Sequence, residues 1–211
     1  MNMFEQKLRE QLSTENFAKI QKVKIGIAGL GGLGSNCAMN LVRSGFKNFK
    51  LIDFDKVDYS NLNRQFYFYE QVEMLKTEAL SINLKMINPA VQLQALTIKI
   101  EQENVNQLFA DCDIVVEALD KAEAKSLLTA NLLPTLKLII AASGIAGIGD
   151  SDLISIHWLK KNLVIVGDLS SDVQQSFPFS PKVNIAAAKQ ADIILKYTIS
   201  DFLNNELCLE L

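Results

Sequence analysis

Short runs rich in Val, Ile and Leu alternate along the chain with stretches in which apolar residues return every three or four positions. Strands alternating with helices produce this pattern, so it predicts βαβ units and a parallel sheet. The first apolar run covers 23–28, and a glycine-rich turn follows it. Leu33, Cys37 and Leu41 then recur at four-residue spacing, as one buried helix face requires, and the helix should stop near Ser44-Gly45. A second strand is expected at 48–53, a helix at 75–87 stopped by Asn88-Pro89, and a third strand at 91–98. A helix at 103–109, a strand at 114–118, another helix to 133 and a strand at 136–142 complete the series.

The last third reads differently. Gly144, Gly147 and Gly149 open a region with two strands, 153–158 and 163–166, close enough to pair antiparallel. Ser, Asp, Gln and Pro dominate 167–181, as in an irregular loop, and helical composition returns at 182–203. The stretch 60–65 is too rich in Asn for a regular element, whereas 2–20 reads as a helix.

Composition narrows the chemistry. At 211 residues the chain has room for one domain, and with 49% hydrophobic and 21% charged residues it can bury a core. The net charge of −3 gives no electrostatic footprint for nucleic acid. No run of 18 apolar residues occurs and residues 1–10 lack a signal-like core, so a cytoplasmic location without membrane attachment is expected. Cys37, Cys112 and Cys208 are far apart and form no Cys-x-x-Cys, so neither a disulfide framework nor zinc is expected. His157 is the single histidine, which removes mechanisms built on a histidine pair. It falls in an alternating strand pattern and reads as structural.

Gly29-Leu30-Gly31-Gly32-Leu33-Gly34 places a Gly-x-Gly-x-x-Gly between a strand and a helix, where bare backbone and free N–H groups can approach a phosphate. Ser35 follows where a Walker loop would need lysine. Asp53 ends the second strand 24 residues after Gly29, positioned to accept from a ribose hydroxyl. The expected fold is therefore α/β and Rossmann-like, with a mostly parallel sheet flanked by helices and a small antiparallel extension after strand five. Arg64, and Lys76 twelve residues later, add cations beyond what two phosphates require. Asp120 lies just past strand four, where open α/β sheets bind ligands; it reads either as a Mg²⁺ ligand or as a helix N-cap.

The strings Leu51-Ile52-Asp53-Phe54-Asp55-Lys56-Val57, Ser60-Asn61-Leu62-Asn63-Arg64-Gln65, Lys76-Thr77-Glu78-Ala79 and Ile87-Asn88-Pro89, with the glycine loop and Asp120, resemble in order and spacing the ThiF/MoeB/HesA group related to ubiquitin-activating enzymes. The resemblance covers roughly 5–200. Ala141 to Gly147, Ser180-Pro181 and Ala186-Ala187-Ala188-Lys189-Gln190 look like its short, zinc-free ThiF branch. It implies one adenylation domain: an N-terminal helix at 2–20, a nucleotide-binding core at 22–142, a carrier-binding extension and crossover loop at 143–181 and a C-terminal helix. It also implies ATP and Mg²⁺ as cofactors, a homodimer, and a ThiS-like sulfur carrier ending in Gly-Gly as partner. Nucleotide-contacting positions fall on Gly29, Gly31, Gly32, Gly34, Asp53, Ser60, Asn61, Leu62, Asn63, Arg64, Lys76, Asp120 and Lys121, with the metal at Asp120. The group supplies an arginine from the partner subunit's N-terminal helix, for which Arg9 is the candidate. Where the group has glycine three residues before the lysine, this chain has Glu73.

The implied reaction adenylates the carrier's C-terminal glycine and releases pyrophosphate, in synthesis of the thiazole part of thiamine. Some relatives form a covalent bond through a crossover-loop cysteine; 167–181 contains none, and Cys208 is the candidate left. A molybdopterin-type carrier, an NAD-binding oxidoreductase and a binding module without turnover stay open as alternatives.

Overall fold

The computed structural model describes residues 1–172 and 175–200. Within them seven strands form one sheet: β1 (Lys24–Ala28), β2 (Asn48–Ile52), β3 (Gln92–Leu96), β4 (Ile114–Glu117), β5 (Leu138–Ala142), β6 (Ser155–Lys160) and β7 (Leu163–Gly167). Their spatial order is β3-β2-β1-β4-β5-β7-β6. Every neighbouring pair is parallel except β6–β7, a hairpin in which Ile156 faces Val166 and Trp158 faces Val164. The helices are α1 (Met3–Leu12), α2 (Thr14–Lys22), α3 (Gly32–Arg43), α4 (Lys76–Ile87), α5 (Val105–Leu108), α6 (Ala122–Leu132) and α7 (Ser180–Ile199). This is the Rossmann-like α/β sheet with an antiparallel extension that the periodicity predicts.

Period-two alternation divides the core between the two faces of the sheet. Ile25, Ile27, Ile114, Val116 and Ile140 pack with Leu33, Cys37 and Leu41 of α3 and Ala186 and Ile194 of α7. Ala28, Ile52, Val115 and Ile139 pack on the other face with Val105, Phe109, Leu128 and Leu132. The chain runs outward from β1 through β2 to β3 and then crosses back to β4 on the other side of β1. That reversal opens a crevice at the carboxyl ends of β1 and β4, the place where such sheets take ligands.

The expected single helix at 2–20 is two helices. Ser13 takes a φ of 72°, outside the right-handed region, and its hydroxyl accepts the Asn16 N–H at 3.3 Å to start α2. Strand five begins at Leu138 because Leu136 turns with a φ of 60°. The polar stretch near 60 contains one 3-10 turn, Tyr59–Asn61, capped by Asp58. Helix α7 starts two residues before the expected 182, with Pro181 in its first turn, where a missing N–H costs nothing. Its expected end at 203 lies outside the described residues. Among the described residues no helix is long and apolar enough to cross a membrane.

Candidate active site

The loop after β1 uses its glycines for two purposes. Gly29 leaves the strand at a φ of 88°, and a Cβ there would lie 2.6 Å from the Ala118 carbonyl oxygen. A Cβ on Gly34 would lie 1.9 Å from the Gly29 oxygen. These two positions let strand, turn and helix close on one another. Gly31 is different: its φ is negative, −75° with ψ at −149°, and a Cβ would meet only the Gln65 amide nitrogen, at 3.8 Å. Packing does not require glycine at 31, so the bare backbone leaves room for a ligand before the N-terminus of α3. A Cβ on Gly32 would press on Val183 of α7 at 2.9 Å and approach the Arg64 Cγ at 3.5 Å.

Asp53 links the loop to the second strand. Its Oδ2 accepts the Leu30 N–H at 2.6 Å and its Oδ1 accepts the Asp55 N–H at 2.8 Å. Asp55 accepts the Lys76 ammonium at 3.0 Å, and its carbonyl accepts the Lys76 N–H at 3.0 Å. Glycine loop, Asp53, Asp55 and Lys76 thus form one connected chain. Burial pushes the Asp53 carboxyl up, and the charge of Lys76 pulls it back. A carboxylate has about four lone-pair sites, so two accepted N–H bonds leave capacity for a ribose hydroxyl. The Tyr67 hydroxyl donates to the Leu30 carbonyl at 2.8 Å. Burial, reinforced by the Asp53 charge, raises this phenol well above its ordinary value and keeps it a donor.

Arg64 is carried to the glycine loop by side chains of α3. Asn36 donates to the Gly32 carbonyl at 2.7 Å and to the Arg64 carbonyl at 2.8 Å. Ser35 donates to the Gly31 carbonyl at 2.6 Å and accepts the Phe66 N–H at 2.9 Å. The half-buried Arg64 guanidinium, its pKa lowered by burial, donates to the Ser60 carbonyl at 3.0 Å and to Asn63 Oδ1 at 2.8 Å. Next to it Gln65 is buried, and its Oε1 has no hydrogen-bond partner. The atom of this side chain nearest Gly31 is its amide nitrogen, 3.8 Å from where a Cβ would stand, so Gln65 borders the space before α3.

Asp120 and Lys121 follow β4 with exposed side chains. The cap position of α6 falls on Lys121 and no side chain caps the helix, so the capping reading of Asp120 does not hold. Its carboxylate stands open at the strand-order reversal, beside the loop that Ala118 touches. One exposed carboxylate is how Mg²⁺ is commonly met, with water and phosphate oxygens completing its shell. Among the described residues no three His, Cys, Asp or Glu side chains gather as a metal cluster. Glu117, by contrast, is buried. Burial raises its carboxyl, opposed by Lys125 at 3.0 Å, which also donates to the Ala142 carbonyl at 3.1 Å. That pair fastens α6 across the ends of β4 and β5.

The structure therefore brings together Gly29, Gly31, Gly32, Gly34, Asp53, Arg64, Lys76 and Asp120. Ser60, Asn61 and Asn63 make their side-chain bonds within their own turn and to Arg64, and Leu62 packs against the core. Arg9 stands apart. Glu5, one turn earlier on α1, meets Lys47 at 3.3 Å and Asn88 at 3.4 Å, while Leu8 abuts Gly45. These contacts lie at the amino ends of β2 and β3, the edge of the sheet opposite the glycine loop, so Arg9 does not join the site of its own chain.

His157 bonds across the hairpin to the Gly167 carbonyl at 3.0 Å. Cys37 is buried, with its thiol raised by burial; Cys112 is also buried, its thiol pushed up to about 11. Cys208 lies outside the described residues. Glu73 does adopt a left-handed φ of 69°, so the turn before Lys76 forms without glycine. Asp55, Tyr67, Asn36 and the role of Gln65 were not singled out from sequence. The alternation Asp53-x-Asp55 was a usable signal for the first, whereas Asn36 and Tyr67 gain their meaning only from contacts distant in the chain.

Comparison with known proteins agrees with this architecture. The model of the ThiF family matches residues 4–196. Adenylyltransferase and sulfurtransferase UBA4 of Candida glabrata is 32% identical over 140 residues, covering 66% of this chain and 32% of the relative. Sulfur carrier protein ThiS adenylyltransferase of Bacillus subtilis is 36% identical over 110 residues, covering 51% of this chain and 33% of the relative. The chain thus aligns with about a third of the length of each of these relatives. In fold it is similar to E. coli tRNA N6-threonylcarbamoyladenosine dehydratase, TcdA, solved in complex with ATP, with a TM-score of 0.80 and 19% identity over 94% of this chain and 93% of that one. A family match running from α1 into α7, through the glycine loop, Arg64, Lys76 and Asp120, establishes that the chain belongs to the ThiF family.

Proposed function

We propose that the protein is an ATP-dependent adenylyltransferase that activates the C-terminal glycine of a small ubiquitin-like sulfur carrier, ThiS-like, in thiamine thiazole synthesis. The observation that carries this reading is the pairing of two cations with the glycine loop, Arg64 beside Gly32 and Lys76 joined to Leu30 through Asp55 and Asp53, with Asp120 just past the end of the neighbouring strand. Two phosphates on a helix N-terminus need no such cations; a triphosphate with a reacting α-phosphorus does. Family membership and the resemblance to a ThiS adenylyltransferase support it.

The chemistry needs no general base. A C-terminal carboxylate, with a reference pKa of about 3.3–3.7, arrives ionised at neutral pH. Its oxygen forms a bond to the α-phosphorus of ATP as the α–β bridging P–O bond breaks, giving acyl adenylate and pyrophosphate. The protein's task is to align two anions and offset their repulsion. Backbone N–H groups at the start of α3 receive phosphate oxygens, Asp53 orients the ribose, and Arg64 and Lys76 neutralise charge passing to the leaving group. Asp120 would hold Mg²⁺, which supplies further neutralisation when bound. Lys76 must exchange its contact with Asp55 for phosphate, so Asp55 keeps the ammonium ordered beforehand.

The test is ATP–pyrophosphate exchange with the carriers of the source genome that end in Gly-Gly. Exchange with a ThiS-like carrier is expected, and its absence with every such carrier would overturn the reading. Asp120→Ala should melt at the wild-type temperature, because the carboxylate is exposed, and should abolish exchange. Retained exchange would remove Asp120 from the site.

A further inference from the structure

Asp53 on β2, the glycine loop on β1 and Asp120 on β4 occupy the carboxyl ends of three adjacent strands. The next strand ends belong to β5 and β7, and the segments that continue them, 143–147 and 167–171, are tied into a single knot. Asp168 donates its N–H to the Gly144 carbonyl at 2.9 Å, and Leu169 donates to Ser143 at 3.3 Å. The Asp168 Oδ1 accepts the Ser170 and Ser171 N–H groups at 2.8 and 2.7 Å, and the Ser171 hydroxyl accepts the Ala146 N–H at 3.0 Å. Gly147 donates to Phe177 at 3.1 Å, bringing the far end of the loop to the same place.

One side chain of α7 closes this knot. Lys182 donates to the Ala146 carbonyl at 2.7 Å and lies 3.5 Å from Asp168 Oδ2, and the two side chains are 8% and 7% exposed. A buried ammonium with two anionic or carbonyl partners is costly to assemble and holds its geometry once made. The next residue, Val183, packs on Gly32 at the N-terminus of α3. The first turn of α7 therefore touches the nucleotide loop with one residue and the two segments with its neighbour.

We infer that the Asp168–Lys182 pair is a positioning device for the second substrate: it holds 143–147 and 167–171 at a fixed distance from the glycine loop, so that the carrier's C-terminal tail reaches the α-phosphorus from the β5–β7 side. The inference rests on the adenylation reading above. Neither residue touches the nucleotide site, and both act through the backbone they fix.

The experiment compares wild type, Lys182→Met, Lys182→Arg and Asp168→Asn by ATP binding, exchange kinetics with a ThiS-like carrier, and amide hydrogen exchange. Lys182→Met should raise KM for the carrier about tenfold or more, with kcat within about threefold and ATP affinity unchanged. Lys182→Arg should restore most of that loss, and Asp168→Asn should resemble Lys182→Met. Protection of 143–147 and 167–171 should fall in the Met and Asn variants alone. An unchanged carrier KM, or an equal loss of ATP affinity, would overturn the inference. Should wild type exchange with no carrier, the adenylation reading fails separately, and unaltered protection in Lys182→Met would then overturn the device itself. If Lys182→Met does not fold, the Arg and Asn variants decide by the same readouts.

Discussion

At Gly34 and Gly31, three residues apart in one loop, a single methyl group has opposite expected effects. At Gly34 it would meet a backbone oxygen at 1.9 Å, which cannot yield without opening the strand–turn–helix. Gly34→Ala should lower stability by about 3 kcal/mol or more, read from chemical denaturation. At Gly31 the methyl would find space, so Gly31→Ala should fold with a loss of about 1 kcal/mol or less. Its ATP affinity should nevertheless fall about tenfold, equal to about 1.4 kcal/mol, in a binding titration. A stable Gly34→Ala, or a Gly31→Ala with unaltered ATP affinity, would contradict the division of labour within the loop. The motif alone could not separate the two positions, because spacing carries no information about which absent side chain a neighbour already excludes. Asp53 shows the same limit: its place at a strand end was legible, but its bond to Leu30 N–H required the folded loop.

Among the elements, the N-terminal helices depart furthest from expectation. A single helix is expected at 2–20, yet Ser13 breaks it, and α1 attaches through a buried polar group as well as apolar contacts. Glu5 is 1% exposed. Burial by itself would raise its carboxyl, but hydrogen bonds from Asn88 and the Asn2 N–H, with Lys47, hold it below the ordinary glutamate value. Glu5→Ala should therefore cost about 1–3 kcal/mol at neutral pH. The sign with pH follows from the lowered pKa. The stabilisation is complete above the unfolded value of about 4.3 and declines as pH falls through the lower folded value. The gap in melting temperature between wild type and Glu5→Ala should thus narrow on acidification below about pH 4; a constant gap would assign the effect to lost packing rather than to the ionised carboxylate.

For the whole molecule, the order of strands matters most. Because β4 returns beside β1, residues 53, 64, 76 and 120 meet at one edge of the sheet, and the same topology puts α1 and Arg9 at the other. An Arg9 that serves catalysis must then serve a neighbouring copy. Arg9→Ala and Lys76→Ala should each lose exchange activity alone, and mixing them as heterodimers should restore it, since one of the two sites then has both residues intact. No recovery on mixing, with subunit exchange verified by mass, would remove Arg9 from catalysis in trans.

The sequence by itself determined the alternation of strands and helices, the glycine turn, the Asp53 strand end and the string from Ser60 to Gln65, because each depends on local periodicity or on residue types at short spacing. It also carried Lys76 to a helix start and Asp120 to a strand end. Only the tertiary structure decided that Gly31 faces open space, that Asp55 holds Lys76, that Lys182 is buried against Asp168, and that Arg9 lies at the far edge. Each of those depends on contacts between separate elements of the fold, and such contacts are fixed by the order in which strands assemble, which no local pattern encodes.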